Sequence, residues 1–77
     1  MRELIEIMAK ALVYNPDQMR VTEISAEHAL VIELKPAKED IGKIIGKKGR
    51  NVQAMRTILN AASAKLRKRV VLEIVDQ

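Results

Sequence analysis

The hydrophobic residues of this chain change period three times, from helical spacing to alternation, back to helical spacing, and to alternation again. The second helical stretch is broken at Gly46-Lys47-Lys48-Gly49. Before the break, Ile41, Ile44 and Ile45 recur at helical spacing; after it, Val52, Met55, Leu59, Ala62 and Leu66 step by three and four along one face. The stretch therefore reads as helix, tight basic turn, helix. Glycine at both ends of the turn admits backbone conformations closed to other residues and lets another backbone approach closely. The second helix begins at or just after Gly49, so its free N–H groups and positive dipole end converge with Lys47, Lys48 and Arg50. A phosphate fits such a corner.

The flanking segments set the order of elements. Leu4, Ile5, Met8, Ala11 and Leu12 form one stripe of an N-terminal helix that ends at Asn15-Pro16-Asp17, because proline disfavours helix in the residue before it. Ile7 and Val13 fall off that stripe and are left as surface for a partner. Residues 19–24 read as a strand, Ser25-Ala26-Glu27-His28 as a turn that lacks the Asn-Gly or Asp-Gly that would fix its type, and residues 29–35 as a second strand with Leu30, Ile32 and Leu34 on one face. Pro36 closes that strand by lacking a ladder donor. The first hinge helix runs from about 38 to 45, with Glu39 and Asp40 near its positive end. Val70, Leu72 and Ile74 alternate with Val71, Glu73 and Val75 in a third strand. Two helices join the second and third strands, so as neighbours they run parallel through a right-handed crossover. The expected fold is α+β, α-β-β-α-α-β, with a three-stranded mixed sheet covered on one face by three helices.

Charge is segregated along the 77 residues. Residues 41–69 hold nine basic residues and no acid, while the remainder holds five basic residues against ten acids. Such a division suits a polyanion-binding face opposite an acidic one. A chain this short makes one domain, residues 1–77, and buries only about 60% of its unfolded surface, so self-association would add to its stability. It has no cysteine, which excludes disulfides and thiolate metal sites and fits a reducing cytosol. The acids of Met1-Arg2-Glu3-Leu4-Ile5-Glu6 argue against a signal peptide, and no apolar run approaches a membrane span.

Ile44-Ile45-Gly46-Lys47-Lys48-Gly49-Arg50, set between two short helices with strands outside them, resembles the I-G-x-x-G core of K-homology (KH) RNA-binding domains. The extra helix and strand precede the motif, as in the type II form. Over its whole length the chain resembles the small stand-alone bacterial KH proteins of the KhpA/YlqC family. The resemblance implies a cytoplasmic protein that binds single-stranded RNA, acting as an RNA chaperone or post-transcriptional regulator. It also implies a homodimer, or a heterodimer with a second KH-containing protein of the Jag type, and links to cell-shape and cell-wall control. In that reading the loop holds about four nucleotides by their backbone. Phosphates would meet the ammonium groups of Lys47 and Lys48 and the N–H groups of Lys48, Gly49 and Arg50, with Lys43 and Gly46 also counted in the RNA-binding site. Bases would face Ile41, Ile45 and Val52, with Val71 at the edge; Gln53 and Arg56 would contact base or sugar, and Gly42 would permit close approach.

Composition narrows the class of nucleic-acid module. Platforms that stack bases on rings need several aromatics, each worth about 1–3 kcal/mol, and this chain has only Tyr14. Two other readings stay open. One is a protein-interaction or dimerisation module, suggested by Ala61, Ala62 and Ala64 on the second hinge helix; the other is helix-turn-helix binding of DNA. An enzyme is not expected, because convergent acid, base or nucleophilic groups are lacking. No metal, cofactor or small-molecule substrate is expected either, and His28, beside the turn, is read as a surface residue.

Overall fold

The computed structural model describes residues 2–76. Helix α1 (Arg2–Leu12) is followed by strands β1 (Arg20–Ser25) and β2 (Ala29–Lys35), helices α2 (Ile41–Ile45) and α3 (Arg50–Leu66), and strand β3 (Arg69–Ile74). Single 3-10 turns at Pro16–Gln18, Lys38–Asp40 and Lys47–Gly49 join them. The strands form one sheet in the order β1-β2-β3, β1 antiparallel and β3 parallel to the central β2. This is the α+β order and mixed sheet expected from the sequence.

Alternation decides which face of the sheet is covered. Leu30, Ile32 and Leu34 of β2 and Val70 and Leu72 of β3 are buried, and they pack with Ile5 and Ala9 of α1, Ile44 of α2, and Val52, Met55 and Leu59 of α3. Each fully buried aliphatic contributes about 1.5–3 kcal/mol. A core with no ring in it is thus built by position, its fully buried Ile5, Ile32, Leu34, Ile44, Met55 and Leu59 coming from three helices and the central strand.

Three local readings differ from the sequence pattern. The buried stripe of α1 is Ile5 and Ala9, with Met8, Leu12 and Val13 packed beside it, whereas Leu4 and Ala11 face outward. Val13 reaches the core because the helix stops at Leu12 and the chain turns in behind it; Ile7 is 69% exposed. Strand β1 starts one residue later than expected. Met19 is buried and donates its N–H to the Pro16 carbonyl at 3.1 Å, which holds it in the 3-10 turn and out of the ladder. The hairpin closes on Glu27-His28, since the Ala26 N–H donates to the Ala29 carbonyl at 2.8 Å. Neither loop residue has a positive φ, so the turn is not of the I′ form, which needs two.

Asp40 does something the sequence did not announce. It is fully buried. Its carboxylate accepts from the Tyr14 N–H at 3.3 Å, the Asn15 N–H at 2.9 Å and the Asn15 side-chain amide at 3.0 Å. Its main service is therefore to bind the end of α1 to the start of α2, beyond any favourable charge at a helix end. Burial alone would raise this carboxyl. The hydrogen bonds from Asn15 and Tyr14, with the charge of Lys43, outweigh burial and hold it below the ordinary carboxylate range.

Candidate nucleic-acid interface

The glycine corner is built by three non-standard backbone conformations in four residues. Gly46 ends α2 at φ 78°, ψ 169°, a region essentially reserved for glycine, and still donates its N–H to the Gly42 carbonyl at 2.8 Å. Lys48 (φ 57°, ψ 25°) and Gly49 (φ 73°, ψ 16°) are both left-handed and turn the chain into α3. The side-chain amide of Asn51, in the first turn of α3, donates to the Lys43 carbonyl at 2.8 Å and so ties the start of one helix to the end of the other. Lys47, Lys48 and Arg50 are exposed around this corner.

The donors on offer differ from the expectation in one respect. Within the 3-10 turn the Gly49 N–H goes to the Gly46 carbonyl at 3.0 Å, and the Arg50 N–H goes to the Lys47 carbonyl. Both are spent in holding the corner. The turn's first N–H groups, on Lys47 and Lys48, have no acceptor within it. Together with two ammonium groups, they are what the corner presents to an anion.

Further along α3, from Gln53 onward, an open cleft of about 440 Å³ lies between α3 and β3. Gln53, Arg56, Leu59, Asn60 and Ser63 line it from the helix, and residues 69–72 line it from the strand. The cleft lies along the open edge of the sheet, because β3 is its last strand. The Arg69 N–H donates to the His28 carbonyl just before β2 and the Val75 N–H to the Leu34 carbonyl within it, so by alternation the N–H groups of Val70, Leu72 and Ile74 point outward. The first is already taken: Ser63 Oγ accepts the Val70 N–H at 2.9 Å while donating to the Leu59 carbonyl at 3.0 Å.

The residues nominated from sequence divide by position. Gln53 and Arg56 line the cleft, and Val71 lines it from the strand. Ile41 is half-buried and Ile45 is 39% exposed. Gly42 has open space where a Cβ would stand, so nothing within the chain demands a glycine there. Val52, at 8% exposure, belongs to the core. Lys43 points to the α1 side, its Nζ lying 4.9 Å from the ring centroid of Tyr14. Four residues went unremarked as site residues: Asn51, Asn60, Ser63 and Arg69. Asn60 and Ser63 follow Gln53 by seven and ten positions on the same side of α3, which is the signal that would have found them. Among the described residues there is no group of three or more side chains suited to a metal.

A basic G-x-x-G corner between two helices, on an α-β-β-α-α-β chain with the third strand parallel to the second, defines a type II KH domain. The family model for the KH domain of KhpA/KhpB matches residues 2–74, and the chain belongs to that family. It is 53% identical to the RNA-binding protein KhpA of Caldanaerobacter subterraneus subsp. tengcongensis, over 97% of this chain and all of that protein. It is 50% identical to the protein of that name from Aquifex aeolicus, over 99% of this chain and 96% of the relative. To that of Chlamydia pneumoniae it is 42% identical, over 100% and 99%. These relatives are named as RNA-binding proteins and not as enzymes. No solved structure matches at a significant level. Among the described residues no helix is long and apolar enough to cross a membrane.

Proposed function

We propose that the chain works as one KH domain, residues 1–77, which grips single-stranded RNA by its backbone at Gly46-Lys47-Lys48-Gly49 and lays its bases toward the α3–β3 cleft. The observation that carries this reading is an exposed cationic corner at the start of α3 together with an open cleft along the same helix whose lining includes no acid. The names of the relatives support RNA as the ligand. Lys47, Lys48 and Arg50 neutralise phosphate, Gln53 and Arg56 reach base or sugar, and Ile41, Gly42 and Ile45 form the apolar shoulder. Val52 supports that shoulder from the core, and Lys43 adds positive field from behind it. Binding is salt-dependent, with a slope of about −0.7 per phosphate neutralised on a single strand. The cellular role is that of a cytoplasmic RNA chaperone or regulator.

The test is RNA binding as a function of salt, comparing wild type with Lys47→Asp/Lys48→Asp. The folded double variant is expected to lose nearly all binding. If it binds as wild type does, the corner is not the site. Preference for duplex DNA over single-stranded RNA in competition would favour the helix-turn-helix reading instead.

A dimer is a compatible second reading. Outside the cleft lining, α3 exposes Ile58 (38%), Ala61, Ala64 and Leu66 (50%), small and apolar residues that permit close helix approach. The partner is a second copy or another KH protein of the Jag type. Sedimentation that shows only monomer, alone and with such a protein, removes this reading.

A further inference from the structure

We infer that Tyr14 stacks one unpaired base flanking those held at the glycine corner, on the α1 side of α2 and outside the α3–β3 cleft, with Lys43 meeting the adjoining phosphate. The inference rests on the RNA-binding reading above and extends it.

The ring stands where the fold does not need one. The core is built without aromatics, and the chain's single ring is 78% exposed in the bend after α1. Its backbone is nevertheless tethered. The Tyr14 N–H, the Asn15 N–H and the Asn15 side-chain amide all donate to the buried carboxylate of Asp40, the residue just before α2. Pro16 then stiffens the exit from the bend. An exposed ring on a backbone fixed to α2 is presented to a ligand with part of its ordering cost already met.

The corner that grips the strand sits at the other end of that same short helix. Lys43 Nζ lies 4.9 Å from the Tyr14 ring centroid, within cation–π range. Lys43 precedes Gly46 by three residues, about 4.5 Å along the helix axis. At Gly42, next to Lys43, open space stands where a side chain would be. Neither Tyr14 nor Lys43 lines the cleft, which follows α3 away from the corner. A strand whose bases enter the cleft therefore meets the ring with a residue that flanks them.

The chemistry around the ring suits a nucleotide. The ammonium occupies one face, and every base has a π-face for the other. Lys43 supplies charge for a phosphate, while the two acids of this junction are engaged: Asp40 as above, and Glu39 by the Asn15 side-chain amide at 3.4 Å. A protein partner that covered the ring would want apolar neighbours, and here they are Lys43, Asn15 and Asp17, all polar.

NMR and anisotropy titrations of the full-length protein with octaadenylate test this. Tyr14 gives the chain's only aromatic ring signals besides those of His28, and stacking should move them upfield at saturation. Tyr14→Ala, checked for unchanged melting, should bind about tenfold more weakly, the size of one stacked base, and Tyr14→Phe, which keeps the ring, should restore the affinity. Lys43→Gln should flatten the salt slope by about 0.7. Ring signals that stay in place, or a Tyr14→Ala variant that binds as tightly as wild type, overturn the stacking site and leave the ring to a protein partner. A wild type that binds no oligomer, or a Lys47→Asp/Lys48→Asp variant that binds as wild type does, overturns the underlying RNA reading instead.

Discussion

Asn51 occupies the space that a side chain at Gly46 would need. A Cβ placed on Gly46 would lie 2.6 Å from Asn51 Cγ and 2.7 Å from its Nδ2, the nitrogen that holds the Lys43 carbonyl. The first glycine of the corner is therefore fixed twice, by its positive φ and by a neighbour that has moved in where its side chain is missing. The second, Gly49, is fixed by φ alone, with open space around it.

Gly46→Ala should cost about 1–3 kcal/mol for the backbone region alone and more for the displaced Asn51. Adding Asn51→Ala should return only the steric part, leaving the double variant well below wild type in chemical denaturation. Full recovery would mean that the backbone conformation is not a constraint.

Lys48 and Arg67 are the two non-glycine residues with left-handed backbone among those described, at the corner and at the end of α3. Replacing either by glycine removes a conformational penalty and should stabilise by about 1 kcal/mol, or 4–8 °C in melting temperature for a domain of this size. The two should part company in binding. Lys48→Gly should weaken RNA affinity and flatten its salt slope, while Arg67→Gly should leave both nearly unchanged. Equal effects on binding would place the ligand away from the corner.

Asp40 makes stability depend on acid. Its folded carboxyl is held below the ordinary value, so its contribution is fully present above the unfolded value of about 3.9 and is lost as pH falls through the folded one. Melting temperature should therefore fall below about pH 4 from this source. Asp40→Asn should melt lower at neutral pH and lose part of the acid slope. A variant that keeps the wild-type slope would assign the acid sensitivity to other groups.

Ser63→Ala should leave the part-buried Val70 N–H without its acceptor, a cost of about 0.5–1.5 kcal/mol. Hydrogen exchange at the Val70 amide reads this directly. Exchange no faster than in wild type would show that another acceptor replaces the hydroxyl.

Most of the architecture was legible because it rests on period. The alternation of Leu30, Ile32 and Leu34 and the steps of Val52, Met55 and Leu59 reveal which faces meet. What was not legible rests on contacts between distant positions. Nothing adjacent to Asp40 says that Asn15, 25 residues earlier, will bind it. Ten residues separate Gln53 from Ser63, so their common cleft emerges only once β3 is set beside α3. The corner itself was legible, but not that its 3-10 turn consumes the N–H groups of Gly49 and Arg50. Hydrogen-bond geometry of that kind follows from φ and ψ, which the glycines permit without specifying.

The bond between Ser63 and Val70 bears on solubility as much as on shape. An outermost strand with unmet amides can recruit a strand from another molecule and seed fibres. Here the first outward amide is already engaged, and the chain enters the strand through Arg67, Lys68 and Arg69, whose like charges repel a second copy approaching in register. A helix hydroxyl and three cations thereby keep an open flank from becoming a template for aggregation.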